Sequence, residues 1–135
     1  MRNLRLDICY DGTRYRGWQR LAGRDDTIQG KIETALSRIL GEPIEISGSG
    51  RTDAGVHAAG QVASFRGPMY DRDKLLAQLR HRLPEDIGVL SLDYAPERFH
   101  ARLSAVEKTY CYRIWNSPQP DVFGRLYRVQ IPQAL

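Results

Sequence analysis

Two apolar stripes of helical period, each set between segments of strand period, constrain this chain more than any other feature. Ile28, Ile32, Ala35, Leu36 and Ile39 recur at i, i+4, i+7, i+8 and i+11, which draws one apolar face on a helix. Asp26 or Thr27 can cap its start, and Gly41 with Pro43 closes its end. A second stripe, Leu75, Leu76, Leu79 and Leu83, marks a helix over about 71 to 83 that Pro84 stops. Residues 2 to 10 alternate instead. Leu4, Leu6, Ile8 and Tyr10 share one face, and Asn3, Arg5, Asp7 and Cys9 the other, the pattern of a half-buried strand. Ile44-Glu45-Ile46 reads as a short strand, Gln61 to Arg66 as another, and Ile87 to Tyr94 as extended. A last strand is expected over Glu107 to Trp115, with Tyr110, Tyr112 and Ile114 on one face.

The resulting order is β-α-β-β-α-β with one further strand. It is the split βαβ, ferredoxin-like pattern of the α+β class. Two helices would cover one face of a mostly antiparallel sheet and leave the other free to carry a site. The 135 residues suit one domain, without internal repeat or low-complexity tract. Ser117-Pro118-Gln119-Pro120 marks a turn or linker. No apolar run approaches the roughly 18 residues that span a bilayer, and the alternating N-terminus is unlike a signal peptide. The two cysteines, Cys9 and Cys111, do not make a disulfide framework. No Cys or His pair has the spacing of a metal site, so no metal is expected.

The net charge is +4, and the basic residues are nearly all arginine, the lysines being Lys31, Lys74 and Lys108 alone. Arg14, Arg16, Arg20 and Arg24 fall in one short segment that also holds Tyr15 and Trp18. Guanidinium forks fit phosphate oxygens and stack on bases, so basic residues interleaved with aromatics suggest nucleic acid. A solvated loop around a core tryptophan fits this composition equally well.

The stretch Ser49-Gly50-Arg51-Thr52-Asp53-Ala54-Gly55-Val56-His57-Ala58 joins two strands, with glycines at 48, 50, 55 and 60. Glycine permits close approach of a ligand, and a polar cluster on a loop held by strands often carries function. Asp53 could act as a nucleophile if it stays ionised, which a nearby arginine would favour. It could also simply bond backbone N–H groups in a turn. Tyr110, on one strand face with Tyr112 and Ile114, is accounted for by packing alone.

Gly50-Arg51-Thr52-Asp53-Ala54-Gly55-Val56-His57 resembles the catalytic loop of the A family of tRNA pseudouridine synthases. Other segments agree in order. Tyr10-Asp11-Gly12-Thr13 with Tyr15-Arg16-Gly17-Trp18-Gln19-Arg20 is similar to the family's first loop, and Thr27-Ile28-Gln29-Gly30-Lys31-Ile32-Glu33 to its first helix. Gly60-Gln61-Val62, Leu83-Pro84-Glu85-Asp86-Ile87, Phe99-His100-Ala101-Arg102 and Lys108-Thr109-Tyr110-Cys111-Tyr112-Arg113-Ile114 also fit.

The resemblance implies a cofactor-free isomerase that turns uridine into pseudouridine in the anticodon stem-loop of tRNA, at positions 38 to 40. It implies Asp53 as the catalytic aspartate, Arg51 as the arginine that displaces and replaces the target base, and Tyr110 as the tyrosine packed on it. Arg14, Arg16 and Arg20 would track the RNA backbone, and His100 and Arg102 would touch RNA. His57 is expected to shape the loop, and Tyr15, Trp18 and Trp115 to pack. A cytoplasmic homodimer without membrane or metal is implied. A ferredoxin-like RNA-binding module without catalysis is the alternative. Family members run to about twice the size of one such domain. Residues 1–116 are therefore expected to form the domain with the catalytic loop. Residues 117–135 are expected to be the strand and connection toward a second half, which would supply a basic partner for the aspartate. Leu79-Arg80-His81-Arg82 departs from the family, which tends to have Asn and small residues there.

Overall fold

The computed structural model describes residues 1–24 and 26–134. Its main sheet has four antiparallel strands in the order β2-β3-β1-β4. They are β1 (Arg2–Tyr10), β2 (Ile46–Gly48), β3 (Ala58–Gly67) and β4 (Ile87–Tyr94). Helix α1 (Ile28–Leu40) joins β1 to β2, and α2 (Arg72–Arg82) joins β3 to β4. This is the α+β architecture and element order that the periodicities predict.

Both helices begin and end where local chemistry dictates. The Thr27 side chain accepts the N–H of Gly30 at the start of α1, and Gly41 closes it in the left-handed conformation, φ 76°. That backbone region is open to glycine at little cost. Asp71 accepts the N–H of Lys74 to start α2, and Leu83 turns extended ahead of Pro84.

Leu4, Leu6 and Ile8 of β1 stand opposite Phe65, Ala63 and Gln61 of β3, so these side chains share the helix-covered face. The apolar ones, Leu4, Leu6, Ile8, Ala63 and Phe65, form one buried cluster with Ile28, Ile32 and Leu36 of α1 and Leu75 and Leu79 of α2. Fully burying such a side chain contributes roughly 1.5–3 kcal/mol. β4 bulges where Ile8 pairs Val89 and Asp7 pairs Ser91. Arg80 covers the bulge by donating to the carbonyls of Val89 and Leu90 at 3.0–3.2 Å. This departure from the family's residues thus shields an edge strand.

The opposite face is partly crossed by residues 95–104. Asn3 Nδ2 donates to the carbonyls of Pro96 and Phe99, both at 2.8 Å. The Ala101 N–H donates to Ser64 Oγ at 2.9 Å.

Two expectations need correction. β2 starts at Ile46, not Ile44. Ile44 is buried as expected, but its N–H donates to Ser37 Oγ at 2.9 Å rather than to a strand. The strand expected over Glu107 to Trp115 shrinks to β5 (Ile114–Trp115), which pairs in parallel with β6 (Val129–Gln130). Residues 107–113 have no strand partner among the described residues. Tyr110, Tyr112 and Ile114 are 60%, 86% and 48% exposed. Alternation supplies a face, but without a surface to bury it nothing drives pairing.

Candidate active site

β1 ends where β3 and β4 begin, Tyr10 pairing with both Ala58 and Ile87. The loop after β1, the loop 49–57 and the turn before β4 therefore meet at one end of the sheet. The turn is tied in first. The Asp11 N–H donates to the Asp86 carbonyl at 2.9 Å. The Asp86 carboxylate accepts from Tyr15 Oη and from Arg14 Nη2, the latter at 2.7 Å. Burial pushes Asp86 up, but the bonds from Tyr15 and Arg14 together bring it below the usual carboxylate value.

The two long loops are joined through their backbones. Trp18 N–H donates to the Thr52 carbonyl at 3.0 Å, and Gly55 N–H to the Tyr15 carbonyl at 3.2 Å. Gly12 N–H donates to His57 Nδ1 at 3.0 Å. A Cβ at Gly12 would lie 2.0 Å from the Val56 carbonyl oxygen, and one at Gly17 2.6 Å from that of Thr52. Glycine at both positions is what lets the loops approach this closely.

The loop 49–57 is also held from beneath. Tyr10 Oη and Thr52 Oγ1 share a hydrogen bond of 2.9 Å. Gln61 Nε2 donates to the Gly50 carbonyl at 2.6 Å, while Gln61 Oε1 accepts from Ser49 Oγ at 2.7 Å. Trp18 stacks on Tyr10, ring centroids 6.3 Å apart, and its indole fills the space beside Gly48.

On this support Arg51 and Asp53 are both exposed. They form no ion pair with each other, and neither side chain has a hydrogen-bond or ion-pair partner among the described residues. The Tyr110 hydroxyl oxygen would be 3.4 Å from a Cβ at Gly50, the residue before Arg51. The phenol thus reaches the loop although its own segment is not a strand.

The remaining expected residues are placed as follows. Arg14 pairs with Asp86, Arg16 with Asp26 at 3.1 Å, and Arg20 with Glu33 at 3.0 Å, so the three carry carboxylate partners within the fold. Tyr15 and Trp18 are buried, as expected of packing residues. Trp115 donates from Nε1 to the Gln119 carbonyl at 2.9 Å, with the Arg128 guanidinium over its ring. His100 Nδ1 accepts the N–H groups of Arg102 and Leu103, both at 3.2 Å. Arg102 is exposed, without a side-chain partner among the described residues. Both stand on the segment that crosses the sheet, and their contacts are within their own turn. His57 lies between the loops, and its Nε2 is 3.0 Å from the Leu126 carbonyl oxygen. Asp11, 3.2 Å from His57 Nδ1, accepts from Thr13 and from Tyr127 Oη. These two bonds lead the causes that lower it to about 2.

The sequence alone did not single out Tyr10, Gln61, Glu33 or Asp86, which the structure places in the hydrogen bonds that hold these loops. One signal was available for Gln61 and Glu33: each is a polar residue on an otherwise apolar face, and buried polar groups need partners. Among the described residues no group of three His, Cys, Asp or Glu is arranged to hold a metal ion, and no helix is long and apolar enough to cross a membrane.

Known proteins resemble this chain over nearly all its length. A family model described as tRNA pseudouridine synthase matches residues 8–103. The chain is 49% identical over 136 residues to tRNA pseudouridine synthase A of Bacillus sp. strain KSM-64, covering 100% of this chain and 56% of the relative. It is 45% identical over 136 residues to tRNA pseudouridine synthase A 2 of Bacillus cereus strain ZK / E33L, with the same coverage. It is 49% identical over 128 residues to tRNA pseudouridine synthase A 1 of Clostridium tetani, covering 94% of this chain and 52% of the relative. The chain spans about half the length of the curated relatives it matches.

Proposed function

The chain belongs to the tRNA pseudouridine synthase family, and from that premise we propose that the intact protein carrying it converts uridine in tRNA to pseudouridine. The observation that carries the proposal is an exposed Asp53 carboxylate, without a side-chain partner among the described residues, on a loop fixed on both sides of it. In this reading the carboxylate attacks the ribose C1′, a bond to C1′ forms, and the N1–C1′ bond breaks to release uracil as an anion. The base turns over, C5 attacks C1′, and the carboxylate leaves. C5 then loses its proton and N1 gains one. Covalent catalysis of this kind splits one hard step into two easier ones. It needs no cofactor, because the nucleophile is a side chain and the leaving base is the returning one. Attack by the carboxylate on uracil C6 is the variant of the same chemistry.

The target base must leave its stack, at a cost of a few kcal/mol. Arg51, two residues before the carboxylate, would occupy the vacated space, and the phenol of Tyr110 would pack on the flipped base. Uridines 38 to 40 of the anticodon stem-loop are the proposed targets, and a cytoplasmic homodimer is the proposed form of the intact protein. The test is release of the C5 hydrogen from labelled uridine in tRNA. Asp53→Ala and Asp53→Asn should abolish it, and normal turnover by either variant would overturn the assignment.

A second reading, RNA binding without chemistry, is favoured for the 135-residue chain taken alone. Here Asp53 has no cationic partner among the described residues. Binding of tRNA by the isolated chain with no hydrogen release, against full release by the intact protein, would satisfy both readings. Binding with no release from the intact protein would leave only the second.

A further inference from the structure

We propose that Tyr10 and Gln61 are positioning residues for this reaction, each gripping the catalytic loop at the residue immediately before a reactive side chain. The inference rests on the functional reading above. Gln61 holds the carbonyl of Gly50, next to Arg51, at 2.6 Å. Tyr10 holds the hydroxyl of Thr52, next to Asp53, at 2.9 Å, and the Thr52 carbonyl is held by Trp18 N–H at 3.0 Å. The loop is therefore anchored at alternate residues. Gly50 and Thr52 are tied down toward the sheet, while Arg51 and Asp53 are exposed.

Both anchors come from rigid parts of the fold. Tyr10 is the last residue of β1 and Gln61 lies in β3, and each is buried. Burial, offset in part by bonds with Thr52 and Gln61, raises the Tyr10 phenol above its ordinary value, so it stays protonated as a hydrogen-bonding group at neutral pH. The Tyr110 hydroxyl lies over Gly50. The same anchors thus fix the part of the loop on which Tyr110 rests. Neither Tyr10 nor Gln61 is open to substrate, so they act through the loop.

The test compares Tyr10→Phe, Thr52→Val, their double variant, Thr52→Ser and Gln61→Met in the intact protein, reading kcat and KM on tRNA together with the thermal midpoint. Misplacing a reactive group by about 1 Å can cost up to ~100-fold. Tyr10→Phe, Thr52→Val and Gln61→Met should each lower kcat about tenfold while KM stays within about twofold. The Tyr10→Phe/Thr52→Val double should be no slower than either single, because both remove one bond. Thr52→Ser, which keeps the hydroxyl, should retain kcat. Wild-type kcat in Tyr10→Phe or Thr52→Val, or a double variant whose loss is the product of the two, would overturn the proposal. So would a loss that only follows a lowered folded fraction. If Tyr10→Phe does not fold, the Thr52 pair decides. Asp53→Ala separates the two layers. Turnover by that variant removes the functional reading itself, whereas an inert Asp53→Ala beside a normal Tyr10→Phe removes only the positioning role.

Discussion

The N–H of Gly12 donates to Nδ1 of His57 at 3.0 Å, across the gap between the two loops. With Nδ1 accepting, the proton of the neutral ring belongs on Nε2, which faces the Leu126 carbonyl oxygen at 3.0 Å. Both nitrogens have partners within the fold, and Asp11 lies 3.2 Å from Nδ1, which favours a shaping role for His57 over proton transfer. His57→Ala should cost roughly 1–3 kcal/mol through the unpaired Gly12 N–H, measured by denaturant unfolding. It should lower kcat without changing the form of its pH dependence. A titrating limb that disappears with His57 would make it a general base instead.

Glycine at 12 is dictated by the Val56 carbonyl, which a Cβ would meet at 2.0 Å. Backbone cannot swing aside as a flexible side chain can, so Gly12→Ala must push the loops apart. The expected result is a loss of more than about 1 kcal/mol, with faster hydrogen exchange at residues 52–57 and little change in the helices. Gly60→Ala is the control. Its Cβ meets nothing within 4 Å and its φ is not positive. It should stay within about 0.5 kcal/mol of wild type.

These contrasts show what the amino-acid pattern could and could not reveal. Helices α1 and α2 and strand β1 were legible because periodicity and burial agree: Ile28, Ile32 and Leu36 are fully buried, as are Leu6 and Ile8. The segment 107–113 was misread because Tyr110, Tyr112 and Ile114 alternate as in a strand, yet alternation does not name a pairing partner. Asp53, Arg51 and Tyr110 were singled out by family likeness rather than from spacing. The anchors beneath them were not, since Tyr10 reads as one more apolar strand residue and Gln61 as an ordinary strand start. Their role depends on β1 and β3 being neighbours and on which carbonyl faces which amide, and a linear pattern carries neither. The arginines at 14, 16 and 20, whose clustering with aromatics suggested nucleic acid, each also have a carboxylate partner that the fold brings in from elsewhere in the chain, which the linear pattern did not show.

Glu33 illustrates a buried carboxylate with a measurable signature. Its oxygens accept from Arg20 Nη1 at 3.0 Å and from the Ile46 N–H at 2.9 Å, joining α1 to β2 and to the first loop. Burial raises its pKa despite the Ile46 and Arg20 contacts. A carboxyl with a folded pKa above its unfolded value of about 4.3 binds more protons when folded. It thus contributes stability fully present below that value, lost as pH rises through the raised folded pKa. Glu33→Gln should lack this downward slope in stability between acid and neutral pH, measured by urea unfolding at a series of pH values. At neutral pH it should still be less stable by roughly 1–3 kcal/mol, because its amide group cannot accept from both donors. An unchanged slope would mean that another carboxylate is responsible.

The arginines divide by partner, and RNA binding should divide with them. Arg51 and Arg102 have no side-chain partner among the described residues, whereas Arg14 is engaged with Asp86. A free guanidinium that meets a phosphate displaces a counterion, and on a single-stranded loop each such contact contributes about 0.7 to the slope of log K against log salt. If Arg102 meets the backbone, Arg102→Ala should weaken tRNA binding by the intact protein and reduce that slope by about 0.7. Arg14→Ala should act on the fold instead. It strips a charged donor from Asp86, whose backbone carbonyl receives the Asp11 N–H, and so loosens the turn that braces the first loop. Its expected mark is a lower thermal midpoint with the salt slope retained. A slope that falls for Arg14→Ala and not for Arg102→Ala would reverse the division. The RNA path would then run along the first loop, with Asp86 giving up its guanidinium partner when RNA binds.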